Sequence, residues 1–223
     1  MNGLLKLYNR FLDLLFPPLC ISCHKYLESD VLGPICEVCF KGIALVPHLP
    51  GTKILSIGSY EDETLRKLIH AFKYEGMMSA AKPIEQLIKK HLKQGPSLLN
   101  SNIENSVIIP VPLHARKEKN RGFNQAAIIA DLLGKFLEIE VRRDILKRIR
   151  NTDPQIKLAT SKDRAANMKG AFALTENAKE EIEDKNIILV DDVYTSGATM
   201  KAAIKTLRQA GAKKILIFVM ART

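Results

Sequence analysis

A run of large apolar residues, Ile187-Ile188-Leu189-Val190, stops at two adjacent carboxylates, Asp191 and Asp192, and passes through Val193-Tyr194 into Thr195-Ser196-Gly197-Ala198-Thr199. An uninterrupted apolar run of this kind fits a parallel strand covered on both faces; a strand with one wet face would alternate. The small residues that follow leave backbone N–H groups unobstructed where the next helix begins. Such groups, with neighbouring hydroxyls, bind a phosphate monoester without needing a lysine. Asp191 and Asp192 are poor phosphate ligands, but their carboxylates accept hydrogen bonds from the vicinal hydroxyls of a ribose lying beside that phosphate. A sugar phosphate is the implied ligand. Helix capping by Asp, Ser or Thr explains any one of these residues alone, but neither the second Asp nor the two threonines flanking the small-residue loop.

The second constraint is near the N-terminus. Cys20-Ile21-Ser22-Cys23 and Cys36-Glu37-Val38-Cys39 form two C-x-x-C pairs that use all 4 cysteines of the chain. This is the spacing of a structural zinc site in the zinc-ribbon style, four thiolates on one tetrahedral metal with no position left open for substrate. The same residues also permit a disulfide or redox role. Against that, Lys6, Arg10 and Asp13 interrupt the leucine-rich start, so it does not read as a signal peptide, and thiols in a reducing compartment favour metal. His24 reads as a bystander.

At 223 residues the chain can hold one ordinary core-bearing domain and a small appendage. Its formal charge of +10 implies polyanionic company without separating nucleic acid from a diphosphate. The cations fall in two clusters, Arg116, Lys117, Lys119 and Arg121, then Arg142, Arg143, Lys147, Arg148 and Arg150. Both are also consistent with solvated faces. No apolar stretch is long enough to cross a bilayer, so no membrane insertion is expected.

Periodicity places an amphipathic helix over residues 4–15, ended by Pro17-Pro18, and after the cysteines a strand at 54–60. Helices follow at 64–72 and 80–92, the first with Leu65, Leu68, Ile69 and Phe72 on one face. A polar connection at 94–105 reads as a linker. Beyond it strands at 107–112, 139–141, 170–174, 187–190 and 214–220 alternate with helices at 124–136 and 199–209. Alternation of this kind implies a mostly parallel sheet flanked by helices, an α/β fold binding its ligand beyond the carboxyl ends of the strands. The loops after Val111, Val141 and Val190 meet there. The first, from Pro112 to Gln125, combines cations with Gly122 and reads either as a diphosphate grip or as a solvated basic loop before a helix capped by Asn124. The second, running from Arg148 to Arg164 and containing Thr152, Asp153, Gln155 and Lys162, is too long for a connector and reads as a lid or a surface insertion.

The 187–199 segment resembles the 5-phosphoribosyl 1-diphosphate (PRPP) motif of type I phosphoribosyltransferases, in which the first loop often contains a non-proline cis peptide. Several stretches together are similar to the ComF family of competence proteins over nearly the whole chain. They are the two cysteine pairs after Leu14-Leu15-Phe16-Pro17, Leu65-Arg66-Lys67-Leu68-Ile69 to Phe72-Lys73-Tyr74, Pro110-Val111-Pro112-Leu113-His114, Arg121-Gly122-Phe123-Asn124-Gln125, Gln155 with Arg164 and Asn167, and the acidic pair with its loop. Ala198 stands where many members of the superfamily have Gly; a methyl group there still permits phosphate approach.

The resemblance implies a type I phosphoribosyltransferase-like fold over 106–223, a strand-helix-helix connecting region over 51–105, and an amphipathic helix with a zinc-finger lobe over 1–50. It further implies a cytoplasmic protein of natural transformation, with PRPP, single-stranded DNA and competence-machinery proteins as partners, structural Zn²⁺, and Mg²⁺ accompanying PRPP. Asp191 and Asp192 are the expected catalytic pair. Thr195, Ser196, Gly197, Ala198 and Thr199 should cradle the phosphate, with Arg116, Arg121, His114, Lys73 and Arg164 completing the PRPP site. No base-binding segment follows Met220, so two classes stay open: a DNA-handling protein with a PRPP site, and a transferase acting on a nucleobase or related small molecule without a DNA role.

Overall fold

The computed structural model describes residues 17–27, 32–47, 51–74, 78–94, 104–150, 168 and 170–223. After the cysteine lobe with its short helix α1 (Glu37–Gly42) come β1 (Ile54–Ser59), α2 (Glu63–Tyr74), a single 3₁₀ turn (Met78–Ala80) and α3 (Ala81–Gln94). The chain continues through β2 (Ser106–Pro110), α4 (Ala115–Arg121), α5 (Gln125–Leu137), β3 (Leu146–Arg148), β4 (Phe172–Leu174), α6 (Ala178–Ile182), β5 (Asn186–Tyr194), α7 (Ala198–Gln209) and β6 (Lys214–Arg222).

Four strands form one parallel sheet in the order β1-β6-β5-β2, with Leu189 of β5 in register between Ile109 and Ile217. The central strands are apolar on both faces, as their continuous hydrophobic sequence requires. Parity assigns the faces. Ile108, Ile188, Val190, Phe218 and Met220 pack with α2, α3 and α5. Val107, Ile109, Leu189, Ile217 and Val219 pack with α7. The sheet is therefore the middle of three layers, and its carboxyl ends open on one edge.

The cysteine lobe is docked rather than appended. The Ser22 and Thr64 hydroxyls bond at 2.9 Å, Lys67 Nζ donates to the Ser22 carbonyl at 3.2 Å, and a Cβ on Gly33 would stand 2.3 Å from the Ser79 carbonyl oxygen. Cys20, Leu27, Ile35 and Phe40 join the same apolar cluster as α2 and the sheet.

Two of the expected strands take other forms. Residues 139–141 make a single parallel bridge, Val141 to Ile108, with Ile108 N–H donating to the Glu140 carbonyl and Arg142 N–H to that of Ile108, both at 2.9 Å. Gly134 allows α5 to lie this close, since a Cβ there would be 2.8 Å from the Ile139 carbonyl oxygen. The segment at 170–174 does not enter the parallel sheet: β4 pairs antiparallel with β3 in a separate ribbon. Phe172 is buried while Ala173 and Leu174 are half-buried, a pattern for a ribbon lying on the surface of a core rather than for a strand covered on both sides. The stretch expected as a basic loop contains helix α4, capped at its end by Gly122 in the left-handed conformation at φ 86°. No cis peptide occurs among the described residues. The expected helix at 4–15 and nearly all of the expected lid, including Thr152, Asp153, Gln155, Lys162, Arg164 and Asn167, lie outside the described residues. Among the described residues no helix is long and apolar enough to cross a membrane.

Candidate functional site

At the carboxyl ends of β2 and β5 lies a cleft of about 610 Å³, within the size range of small-molecule sites. Asp191 and Asp192 stand in its wall at the end of β5, where the strand leaves the apolar core. Asp192 is 9% exposed and forms an ion pair with Lys73, at the end of α2, at 2.9 Å. Asp191 Oδ1 accepts the Asp192 N–H at 2.9 Å. Burial, and next the neighbouring Asp192 charge, push the Asp191 carboxyl up to about 7, against the smaller pull of Lys73 and Arg148. Two adjacent carboxylates half out of water resist double ionisation, and a ligand offering hydroxyl donors or a cation relieves that resistance.

The turn from β5 into α7 supplies the other half of the cleft. Gly197 adopts φ 71° as N-cap, and its side-chain position is taken by Tyr194, whose hydroxyl would sit 2.3 Å from a Cβ. Gly197 donates no side-chain cap to α7, and Ser196 Oγ reaches the Ala198 N–H only at 3.4 Å. The first turn of α7 therefore presents N–H groups to the cleft beside Thr195 and Thr199. Ala198 lines the cleft while being only 7% exposed, and it packs with the apolar cluster beneath α7.

The basic residues divide. Lys73 and Arg121 line the cleft; Arg116 is exposed outside it, and His114 Nδ1 accepts the Arg116 N–H at 3.2 Å as the N-cap of α4. Lys117 and Asn120 line the cleft instead. With Arg121 they fall at i, i+3 and i+4, one face of a helix, a spacing without meaning in the basic loop expected from Pro112 to Gln125. Arg148 of β3 also lines the cleft, with its guanidinium carbon 5.7 Å from the centroid of the Phe172 ring. Its burial lowers its pKa while the Asp191 charge opposes the shift. The sequence placed Arg148 both in the second basic cluster and at the start of the loop read as a lid or a surface insertion; it lies instead in β3, whose pairing with β4 sets it at the cleft.

The Arg121-Gly122-Phe123-Asn124-Gln125 stretch is largely architecture. Arg121 Nη1 donates to Gln125 Oε1 at 2.7 Å, and Gln125, 2% exposed, donates to the carbonyls of Phe72 at 3.5 Å and Lys73 at 3.2 Å. Phe123 packs on Phe72 with ring centroids 5.6 Å apart. Asn124 caps α5 through the Ala126 N–H and donates to the Val111 carbonyl. Together these contacts tie the C-terminal end of α2, and with it Lys73, to the site.

The second site is the cysteine cluster. The four sulfurs lie within 4.8 Å of one another, Cys23 to Cys36 at 3.7 Å. A tetrahedral metal with sulfurs at ~2.3 Å separates them by about 3.8 Å. Burial works against the Cys20 thiolate, but the N–H groups of Cys23, Cys36 and Ser22 outweigh it and bring the thiol down to about 6. Burial, then the sulfurs of Cys36 and Cys23, push Cys39 up to about 12. Four thiolates at these separations would repel one another without a cation between them. The spacing, geometry and donor set fit a structural zinc held by Cys20, Cys23, Cys36 and Cys39.

Two members of the second basic cluster, Arg142 and Arg143, are held in ion pairs. Arg142 pairs with Glu140 at 3.7 Å, with Asp144 at 3.0 Å and with Glu181, and Arg143 pairs with Asp131. The Arg142 hydrogen bond holds the Asp144 carboxyl below its ordinary range.

Comparison with known proteins matches residues 77–223 to the phosphoribosyl transferase domain family. Over 92% of its length the chain is 31% identical to Competence protein F of Haemophilus influenzae, covering 90% of that protein. It is 26% identical to DNA utilization protein YhgH of Shigella flexneri over 93% of this chain and 98% of that one, and 25% identical to Competence protein ComFC of Bacillus subtilis over 92% and 84%.

The raised Asp191 carboxyl gives a pH-dependent prediction. Ionisation costs nothing below the ordinary value of 3.8, where both states are protonated; the penalty grows as pH rises toward about 7 and is complete above it. In the absence of ligand, Asp191→Asn should raise the melting temperature more at pH 8 than at pH 5, by roughly 2–4 °C per kcal/mol of penalty removed. A gain that is the same at both pH values in thermal unfolding contradicts the shift.

Proposed function

The chain belongs to the ComF family, with a phosphoribosyl transferase domain over residues 77–223, and from that premise we propose that it binds PRPP at the end of β5 as a cytoplasmic component of a DNA-uptake system. The observation that carries the reading is the meeting of a carboxylate pair, an open helix N-terminus and several cations in one cleft. In this reading the first turn of α7, with Thr195, Ser196, Gly197, Ala198 and Thr199, holds the 5-phosphate, and Asp191 and Asp192 accept hydrogen bonds from the ribose hydroxyls. Lys117, Arg121 and Arg148 face the diphosphate, with Lys73 shared between it and Asp192. Arg164, from the expected lid, is assigned to the same diphosphate.

Loss of diphosphate from ribose C1 leaves oxocarbenium-like charge, as in glycoside chemistry, so cations at the leaving group and exclusion of water are what this chain contributes. Mg²⁺ bound with PRPP supplies neutralisation of the diphosphate. A transferase acting on a nucleobase would use the same cleft; diphosphate release on adding candidate bases, with no dependence on single-stranded DNA, is the result that selects it.

The double variant Asp191→Asn, Asp192→Asn should lose PRPP binding, with affinity down at least ~100-fold by calorimetry, while its thermal unfolding stays cooperative. Unchanged affinity in the folded variant removes the acidic pair from the site. For the metal, Cys36→Ser should lose stoichiometric zinc and lower the melting temperature, because binding energy at such a site is folding energy. Full zinc content in that variant, by elemental analysis, contradicts a four-thiolate site.

The DNA role rests on what the relatives are named for and on the net charge of +10. Because Arg142 and Arg143 are held in ion pairs, the exposed cations of α4 are the better candidates for phosphate contacts. Single-stranded DNA affinity should fall with salt at a slope of roughly −0.7 per phosphate contacted, and Arg116→Glu with Lys119→Glu should weaken binding and flatten that slope. A charge-reversed protein that binds as tightly as the parent, with the same salt slope, excludes this surface.

A further inference from the structure

A buried amide stands between two cations that reach the cleft from different helices. Gln125, the first residue of α5, is 2% exposed, and the partners of its amide admit one orientation only. The Phe72 and Lys73 carbonyls can only accept, so Nε2 faces them, at 3.5 and 3.2 Å. The Arg121 guanidinium can only donate, so Oε1 faces Arg121, at 2.7 Å. Carbonyls in the last turn of a helix lack a partner within it, and at the end of α2 the Gln125 side chain supplies one from 52 positions along the chain.

Both groups held in this way are cleft cations. Arg121 ends α4, while Lys73 stands in the last turn of α2 and pairs with Asp192 at 2.9 Å. Lys73 precedes the residues matched to the phosphoribosyl transferase domain, 77–223, whereas Arg121 and Gln125 lie within them. One side chain therefore fixes the separation between a cation of that domain and a cation brought to it by a helix ahead of it. A phosphate monoester at the start of α7 has no need of such spacing, because backbone N–H groups hold it. A diphosphate spreads its charge over two phosphoryl groups, and donors already set apart to match it bind it at less cost in ordering.

We propose that Gln125 is the positioning residue that makes this cleft select PRPP over ribose 5-phosphate, by holding Lys73 and Arg121 at a set separation. On the PRPP reading of the cleft, on which this role rests, Gln125 touches no ligand and acts through the two cations. Losing the amide frees the end of α2 and the Arg121 guanidinium together, and leaves the phosphate cradle of α7 untouched.

Calorimetric titration of the full-length protein with PRPP and Mg²⁺, and separately with ribose 5-phosphate, reads the selectivity. Gln125→Leu should weaken PRPP binding by about tenfold or more and change ribose 5-phosphate binding by less than about threefold. Gln125→Glu keeps the side-chain volume and an acceptor for Arg121 but offers no donor to α2; it should lose PRPP selectively as well, and it serves if Gln125→Leu does not fold. In a Lys73→Met protein, Gln125→Leu should cost less PRPP affinity than in the parent, whereas a residue that only supports the fold costs the same in both. Thermal unfolding without ligand adds a second readout. The loss of melting temperature on Lys73→Met should shrink once Asp192→Asn is present, and that dependence should vanish in the Gln125→Leu protein. Equal losses for PRPP and ribose 5-phosphate, an undiminished cost beside Lys73→Met, or a Lys73 to Asp192 coupling that survives Gln125→Leu overturns the proposal. A parent protein that does not bind PRPP overturns the PRPP reading and this role with it, while PRPP binding unaltered by the Gln125 variants overturns the positioning role alone.

Discussion

Two carboxylates set side by side at the end of a buried strand are the constraint around which the site is organised. Asp191 and Asp192 leave the core where β5 does, so they are held by an apolar strand that cannot move to accommodate them. Removing charge from water is costly, and a buried pair is sound only while its partner stays in place. That partner is Lys73, and everything that positions Lys73 serves the acidic pair. Gln125 satisfies the carbonyls at the end of α2, Arg121 orients Gln125, and the Phe123 ring closes against Phe72. A ligand that brings its own cation or hydroxyl donors replaces part of what Lys73 does, which is how an empty site stays folded and still prefers to be filled.

The cysteine lobe extends the same chain of support. Its first cysteine turn hydrogen-bonds to both Thr64 and Lys67 at the start of α2, and its core residues merge with those of the helix. A metal that fixes the four sulfurs therefore steadies one end of the helix whose other end carries Lys73. Zinc on this reading is structural in the sense that matters for function: it is remote from the cleft and sits on the element that completes it.

Much of this was legible in the sequence, and the exceptions have identifiable causes. The apolar run at 187–190, the acidic pair and the small-residue turn fall where their composition places them, because a strand buried on both faces and a helix N-terminus have unambiguous signatures. The face of α2 follows from its period. Helix α4 was hidden because Ala115–Arg121 contains almost no apolar residue, so a hydrophobic period has nothing to register. The ribbon of β3 and β4 was hidden because two strands of three residues each carry too little pattern to distinguish partners, and with it went the inward course of Arg148. Two of the ion pairs, Arg143 with Asp131 and Arg142 with Glu181, join residues 12 and 39 positions apart, which no local reading can pair. Gln125 is the most instructive case: a polar residue at the start of an apolar helix reads as exposed, yet it is buried because two backbone carbonyls of α2 need a donor.

Hydrogen–deuterium exchange of the full-length protein, with and without PRPP and Mg²⁺, tests most directly whether the acidic pair and the helix N-terminus form one ligand site. Protection is predicted in peptides covering residues 193–200, where N–H groups would be taken up by phosphate, and in those covering α4, whose cations face the same cleft. Exchange that is unchanged in both segments at saturating PRPP, or protection confined to other parts of the chain, contradicts it.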